Sequence, residues 1–189
     1  MSDELAKLVS CQQCDLAKTR IQVVVGSGDE QADVLFLGEA PGRKEDEGGK
    51  PFIGAGGALL DEFLGHAQLK RSEIYITNIV KCRPPKNRNP LRVEILACEH
   101  WLEAQLRAVA PRVVVTLGAY ATGWMTGSSA PMKELVGVPV RVTKGRQTFV
   151  VIPMYHPAAT LYNRTLRTPF LEGAQIVRDT LDALDKEGR

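Results

Sequence analysis

The residues best suited to chemistry are a carboxylate, a carboxamide and an imidazole at the ends of three apolar runs. Glu39 follows the run ADVLFLG, Asn78 lies near the end of EIYITNIV, and His156 lies near the end of TFVVIPMYHP. Together such groups can bind a polar ligand and donate, accept or hold a proton. Each alone is a weak signal, since single polar residues after strands are commonly turn or surface groups. Their arrival at one edge of a sheet would indicate a pocket.

The loop GEAPGRKEDEGGKPFIGAGG, residues 38–57, is rich in glycine and also carries two prolines and four carboxylates. It matches neither glycine-rich pattern of nucleotide-phosphate loops, and its acids would repel a phosphate. Pro41 and Gly42 would instead hold backbone N–H groups in place for a planar polar ligand. Phe52 could offer such a ligand an aromatic face, although a plain core position explains this residue equally well.

The four cysteines form two groups, Cys11 with Cys14 and Cys82 with Cys98, and fifteen residues separate the second pair. Four thiolates fit a tetrahedral zinc ion or a 4Fe–4S cluster. Zinc ribbons use two closely spaced pairs, so the wide second spacing favours iron–sulfur. Four unrelated buried thiols are the alternative. Because nothing nearby indicates electron transfer, we expect a cluster to pin the N-terminal helix to the sheet.

A basic segment rich in proline and asparagine, KCRPPKNRNPLR (81–92), carries five cations and no acid. More cations follow in VRVTKGR and YNRTLR. The whole chain has a net charge of only +2, so any nucleic-acid footprint has to be local. Basic loops commonly serve solubility alone. Beside a pocket, they indicate a polyanion of which one unit enters the site.

Short strands alternating with helices must position these groups. The runs at 32–38, 73–80, 112–118 and 148–157 are apolar on both faces, as buried parallel strands are. VRVTKGRQ predicts a hairpin before the last run, and Asn89 followed by Pro90 predicts the start of a helix. We therefore predict an α/β fold, a three-layer α/β/α sandwich with a mainly parallel four-stranded central sheet. In such sheets the site forms beyond the carboxyl ends of the strands.

The composition predicts one soluble domain spanning residues 1–189, with 44% hydrophobic and 24% charged residues. The N-terminus carries early acids and lacks the apolar region of a signal peptide. No apolar run approaches membrane-spanning length, so we expect no membrane partner. We expect a cytoplasmic monomer, in which cysteines are metal ligands or free thiols rather than disulfides.

The sequence resembles the family-4 uracil-DNA glycosylases, which are iron–sulfur enzymes. The resemblance rests on the loop at 38–57, on ITNIVKCRPPKNRNP, on HPAATLYNRTLR and on the cysteine spacing, and it covers residues 11 to about 167. It implies an α/β/α fold and base excision repair, in which uracil is removed from single- and double-stranded DNA to leave an abasic site. It also implies a structural 4Fe–4S cluster held by Cys11, Cys14, Cys82 and Cys98.

The resemblance further implies roles for residues of the pocket. Phe52 would stack on a flipped uracil, and Asn78 would read its Watson–Crick edge. His156, with a backbone N–H of the Ala40 loop, would stabilise the negative charge that develops on uracil O2.

Two carboxylates and a set of DNA contacts complete the implied site. Glu39 would position water or stabilise the sugar cation, and Glu45 would crowd uracil C5 and so exclude the methyl group of thymine. Leu161 would be the wedge that fills the vacated base stack. The implied DNA contacts are Lys81, Arg83, Lys86, Arg88, Leu161 and Arg164. The sequence departs from the family at Thr160, where many relatives have leucine.

Two other classes of function fit parts of the sequence. A non-catalytic iron–sulfur DNA-binding module would explain the cysteines and the basic segment but not the convergence of Glu39, Asn78 and His156. A zinc-stabilised nucleotide hydrolase could use the acids of the 38–57 loop to bind Mg²⁺.

Overall fold

The structure is a computed structural model that describes residues 3–187. Over these residues one sheet has six strands. The strands are β1 (Ser27–Gly28), β2 (Val34–Gly38), β3 (Tyr75–Asn78), β4 (Val113–Leu117), β5 (Val140–Lys144) and β6 (Gln147–Met154). Their order across the sheet is β1-β3-β2-β4-β6-β5.

The four central strands β3, β2, β4 and β6 are all parallel to one another. They correspond to the four predicted runs, so the α/β class is confirmed. The predicted count of four strands is too low, because an antiparallel strand lies at each edge. Strand β5 is the first arm of the predicted hairpin with β6. Strand β1 has only two residues, too few to show a periodic pattern.

The helices lie on both sides of this sheet. In chain order they are α1 (Asp3–Ala6), α2 (Arg43–Gly48), α3 (Ala55–His66), α4 (Arg92–Val109), α5 (Ala119–Thr126), α6 (Met132–Leu135), α7 (Pro157–Tyr162) and α8 (Arg167–Glu187). Short 3₁₀ helices occur at Lys7–Ser10, Asp15–Lys18, Arg71–Glu73, Pro85–Asn87 and Arg164–Leu166. No helix among the described residues is long and apolar enough to cross a membrane.

Alternate residues of each buried strand face opposite helix layers, which explains why these strands are apolar throughout. On one face Phe36 of β2 packs with Phe63 of α3 and Phe170 of α8. On the other face Leu35 and its neighbours pack against α4 and α5. The two layers confirm the predicted α/β/α sandwich.

The predicted start of the long helix α4 is wrong by two residues. The helix begins at Arg92, and the carboxylate of Glu94 accepts a hydrogen bond from the Leu91 backbone N–H at 2.7 Å. Pro90 is buried before the helix instead of opening it. A buried carboxylate therefore caps this helix, and the Asn-Pro pair does not.

Candidate active site

A cavity of about 570 Å³ lies beyond the carboxyl ends of β2, β3 and β6. The parallel register pairs Gly38 with Asn78, so both strands end at the same level and deliver their following residues to one place. The cavity is lined by all six residues predicted for catalysis and uracil binding, namely Glu39, Ala40, Glu45, Phe52, Asn78 and His156. The convergence expected from the sequence is therefore present.

Asn78 presents an unused hydrogen-bond acceptor to this cavity. Its Oδ1 is buried and has no partner, and among the described residues it is the one such side-chain atom. A Cβ atom on Gly38 would lie 2.3 Å from this oxygen and 2.7 Å from the Phe52 ring. Because position 38 has no side chain, the Asn78 amide edge and the Phe52 ring can lie close together; the part of the cavity that both of them border is called the slot. A buried acceptor without a partner is costly unless a ligand supplies the donor.

Phe52 is held beside this slot in an unusual backbone conformation. Its φ is +53°, a left-handed value that a bulky side chain rarely adopts. Arg71 fixes it from behind, because its Nη2 donates to the Phe52 carbonyl at 2.7 Å. Its Nη2 also donates to the carbonyl of Gly57 at 3.1 Å, and a Cβ at Gly57 would meet the Phe52 carbonyl oxygen at 1.9 Å. The sequence shows the aromatic residue but gives no sign of this clamp.

Glu45 secures the same loop from within the cavity. Its Oε1 accepts hydrogen bonds from the backbone N–H groups of Ile53 at 3.0 Å and Gly54 at 2.8 Å. The residue therefore lines the cavity as predicted, and it also fixes the chain that follows Phe52. The loop-fixing contact is a role that the sequence did not indicate.

His156 is a neutral hydrogen-bond donor in this geometry. Its Nδ1 accepts from the Ala158 backbone N–H at 3.1 Å, so the proton of the neutral ring is on Nε2. Burial lowers the pKa of His156 to about 4, with a smaller opposing effect from Glu45. The ring stacks on Phe52 with centroids 5.7 Å apart. Gly118, at φ +90°, passes close behind, where a Cβ would lie 3.2 Å from the His156 Cβ.

Glu39 is the half-buried carboxylate at the end of β2. Burial raises its pKa above the ordinary value of 4.5. Its backbone carbonyl accepts from the Val80 N–H at 3.2 Å, which ties the start of the 38–57 loop to the end of β3. A half-buried carboxylate that lines the same cavity as a neutral imidazole can orient a water molecule or face a developing positive charge.

Lys81 was predicted as a DNA contact, and the structure requires a correction. Its side chain has no exposed surface. The ammonium donates to the Asn78 carbonyl at 2.5 Å and to the Thr77 hydroxyl at 2.7 Å. Burial lowers its pKa to about 7, and the nearby thiols of Cys98 and Cys82 oppose that shift. A lysine enclosed in this way cannot meet a phosphate.

The other predicted DNA contacts lie at or near the surface. Lys86, Arg88, Leu161 and Arg164 are exposed, and Arg83 is partly buried. Arg88 lines the cavity but is already paired, since its guanidinium donates to the carboxylate of Glu94 at 2.6 and 2.9 Å.

Several residues of the cavity wall were not predicted. Tyr162 is 93% exposed at the rim, next to the predicted wedge Leu161. Arg43 and Lys44 of α2 add two cations to the cavity wall, and they belong to the 38–57 loop, which also carries four carboxylates. The remaining additions include Asn87 and Asn89 of the basic segment. These two asparagines could have been predicted as cavity residues, because they are the uncharged polar residues of a segment that was expected to lie beside the pocket.

The four cysteines lie on one flank of the sheet and are free thiols. Cys82 and Cys98 belong to a buried cluster with Leu8, Leu16 and Trp101, and Cys11 and Cys14 pack against it. Among the described residues, no three His, Cys, Asp or Glu side chains take up an arrangement that would hold a metal ion. The pairs therefore come together as predicted, without the geometry of a closed metal site.

Donors nevertheless point at the sulfur atoms. Arg20 Nη1 donates to Cys82 Sγ at 3.2 Å, and Trp101 Nε1 donates to Cys11 Sγ at 3.3 Å. Burial raises the pKa of Cys82 to about 11, and the Arg20 guanidinium opposes that shift. Hydrogen bonds and cations directed at sulfur are what thiolate ligands need to offset their negative charge.

Comparison with known proteins identifies similar sequences over most of the chain. A profile described as the uracil DNA glycosylase superfamily matches residues 25–178. The chain is 41% identical over 174 residues to the type-4 uracil-DNA glycosylase of Archaeoglobus fulgidus, covering 90% of this chain and 87% of that protein. It is 40% identical over 169 residues to that of Thermotoga maritima, covering 86% of each. It is 39% identical over 197 residues to that of Saccharolobus solfataricus, covering 97% and 86%.

Proposed function

The chain belongs to the uracil-DNA glycosylase superfamily, as one of its type-4 members, and from this premise we propose how its cavity removes uracil from DNA. The enzyme hydrolyses the N-glycosidic bond of deoxyuridine in DNA repair and leaves an abasic site. A glycosylase has to flip the nucleotide out of the stack to reach this bond. The slot, which Asn78 and Phe52 both border, is the part of the cavity that suits the flipped base.

The unpaired Oδ1 of Asn78 carries the proposal. Uracil N3–H is a donor that would satisfy this oxygen, while the amide NH₂ would donate to uracil O4. The Phe52 ring, fixed by Arg71 and Glu45, supplies the stacking face. Cytosine has an unprotonated N3, which would place two acceptors against each other and leave both without a donor.

His156 supports the departure of the base. As the glycosidic bond breaks, its electron pair moves to uracil and negative charge gathers on O2. The Nε2–H of the neutral His156 ring and the backbone N–H of Ala40 would donate to this oxygen. Preorganised donors of this kind contribute roughly 3–4 kcal/mol to transition-state stabilisation. A water molecule then adds to C1′ of the sugar cation and releases a proton to the solvent, and Glu39 orients this water and faces the cation.

Cations in and near the cavity would bind the DNA backbone. Arg83, Lys86, Arg88 and Arg164 remain proposed contacts, and the rim position of Arg43 and Lys44 adds these two residues. Phosphate contacts of this kind set the register without reading sequence. Leu161 remains the proposed wedge, and the exposed ring of Tyr162 beside it is a second candidate for filling the gap in the stack.

Cys11, Cys14, Cys82 and Cys98 would hold a 4Fe–4S cluster. The fit rests on four free thiols in one packed region with Arg20 and Trp101 directed at two of the sulfur atoms. When bound, the cluster would supply folding free energy by joining the N-terminal segment to α4 and the end of β3.

The cluster is tested by Cys82→Ala and Cys98→Ala in the purified enzyme. Each variant should lose visible absorption and iron and melt at a lower temperature. Full iron content with an unchanged melting temperature would show that these cysteines are not ligands.

Excision is tested with matched oligonucleotides that contain either uracil or thymine at one position. Incubation followed by alkali should cleave the uracil strand alone, both as a single strand and in a duplex. If neither strand is cleaved, the protein is not a glycosylase, and a non-catalytic DNA-binding module becomes the better explanation. If the protein instead hydrolyses free nucleotides, the nucleotide hydrolase is the better explanation.

Residues 1–189 are proposed to form one domain that acts as a monomer. The superfamily match over residues 25–178 and the single sheet across them support this proposal. The cytoplasmic location stays a prediction.

A further inference from the structure

The buried ammonium of Lys81 contacts the main chain of Asn78, whose side chain borders the proposed uracil slot. Its Nζ donates to the backbone carbonyl of Asn78 at 2.5 Å and to the Thr77 hydroxyl at 2.7 Å. Asn78 is the last residue of β3, so its carbonyl lies where the sheet ladder ends. Hydrogen bonds from a charged donor are stronger than neutral ones and impose a tighter geometry. The ammonium therefore supplies a hydrogen-bond donor to the Asn78 carbonyl at the end of β3.

A buried polar network holds the other side of the ammonium. The Thr77 hydroxyl donates to the Val25 carbonyl at 2.9 Å. The Nε2 of Gln105, on α4, donates to the same carbonyl at 2.7 Å and to the Tyr75 hydroxyl at 3.1 Å. This network is enclosed, because both Thr77 and Gln105 are fully buried. The Lys81 ammonium is therefore held by Thr77 and its buried network on one side, and it holds the Asn78 carbonyl on the other.

The backbone of Lys81 is fixed as well. Its carbonyl accepts a hydrogen bond from the Val24 N–H at 2.8 Å, and Cys82 follows it directly in the chain. The side chain starts from the cysteine region and folds back under β3. Lys81 therefore spans the distance between the cysteines and the residue that carries the unpaired acceptor.

We propose that Lys81 is a positioning residue for the reaction, which holds the Asn78 main chain so that its amide edge faces the uracil slot. The proposal rests on the function proposed above, in which Asn78 reads the base. Lys81 contacts neither substrate nor solvent, and acts through Asn78 alone. In the sequence this lysine opens a run of basic residues, yet its role differs from theirs.

The test compares Lys81→Met with wild type in single-turnover excision of uracil. Methionine has nearly the same length and no donor. We expect the excision rate to fall on the order of a hundredfold, as for other small misplacements of a binding group. Inhibition by free uracil should weaken, because its binding depends on the Asn78 edge. Affinity for DNA that carries an abasic site should be unchanged.

Gln105→Met provides the matched control. It perturbs the same buried network one step further from Asn78, so it should lower the melting temperature while free uracil inhibits it as strongly as wild type. If the loss of uracil inhibition follows melting temperature in both variants, Lys81 is only structural and the proposal is wrong.

A double-mutant cycle with Asn78→Ala gives the second measurement. In the Asn78→Ala background, Lys81→Met should reduce the excision rate little further. If the two substitutions instead reduce the rate independently, so that their fold-losses multiply, the proposal is wrong. If Lys81→Met does not fold, Lys81→Arg takes its place, keeps the charged donor and should retain more uracil inhibition than Lys81→Gln. Equal inhibition of these two variants would also overturn the proposal. A wild-type enzyme that excises no uracil would refute the proposed function instead.

Discussion

The amide of Asn78 combines an unpaired Oδ1 with a neighbouring NH₂, and this pair of groups should determine which base is excised. Asn78→Asp replaces the donor with an acceptor that can meet the N4–H₂ group of cytosine. We expect a large loss of uracil excision and a small gain on cytosine, measured under single turnover with matched oligonucleotides. Each unpaired buried polar group costs about 1–3 kcal/mol, so two mismatches suffice for strong discrimination.

Asn78→Ala is the control for this exchange. It removes both groups, so it should lose activity on uracil without gaining any on cytosine. If both variants excise uracil at near wild-type rates, Asn78 does not read the base.

The imidazole of His156 should make stability depend on pH. Its pKa is about 4 in the folded protein, against an ordinary value of 6.5. Between these values the unfolded chain binds a proton that the folded protein does not. The contribution of this residue is therefore fully present above about pH 6.5 and is lost as the pH falls towards 4.

Denaturant unfolding of wild type and His156→Gln from pH 7 to pH 4 measures this effect. The free energy of unfolding should fall more steeply for wild type, because His66 and His100 are common to both proteins. Parallel curves would mean that the His156 ring is not held neutral.

At the scale of elements, the Asn78 amide and the Phe52 ring can take their positions over the end of β2 only because position 38 is glycine. Gly38→Ala would place a methyl group against Asn78 Oδ1 and the Phe52 ring. We expect uracil excision to fall by at least tenfold and free uracil to lose its inhibition.

Gly65→Ala is the matched control. It lies exposed in α3 with nothing within 4 Å of the added Cβ, so it should keep full activity and gain up to about 1 kcal/mol of stability. Full activity in Gly38→Ala would show that uracil binds elsewhere.

The four central strands could be predicted because their pattern of apolar residues has only one interpretation. Runs such as ADVLFLG are apolar on both faces and are too short for buried helices. The ends of these strands then placed Glu39, Asn78 and His156 at one edge. The clamp of Arg71 on Phe52 could not be predicted, because it joins residues of different elements through a backbone carbonyl. Lys81 was misassigned because its charge suggested solvent, although it stands between the apolar Val80 and Cys82.

For the whole molecule, DNA binding should depend on cations near the cavity and not on the total charge. We choose Lys44 and Lys86, which are exposed, in place of Arg88, whose removal would strand the buried carboxylate of Glu94. Lys44→Ala with Lys86→Ala should reduce the slope of log K against log salt by up to about 2 for DNA of any sequence.

The control variant removes two exposed cations that lie away from the cavity. Arg141 is on the edge strand β5 and pairs with Glu187 at the end of α8, next to Lys186, and neither cation lines the cavity. Arg141→Ala with Lys186→Ala removes the same charge and should leave the salt slope unchanged. Equal slopes for the two double variants would place DNA elsewhere on the surface.

The cysteine region also sets an order of events during synthesis. Cys11 contacts Trp101, which lies 90 residues later in the chain. At a translation rate of about 5–20 residues per second, Cys11 leaves the ribosome roughly 5–20 s before Trp101 does. During that interval Cys11 is an exposed thiol without a fold around it. Labelling of arrested nascent chains with a thiol reagent would measure this window, and protection before residue 98 is synthesised would contradict it.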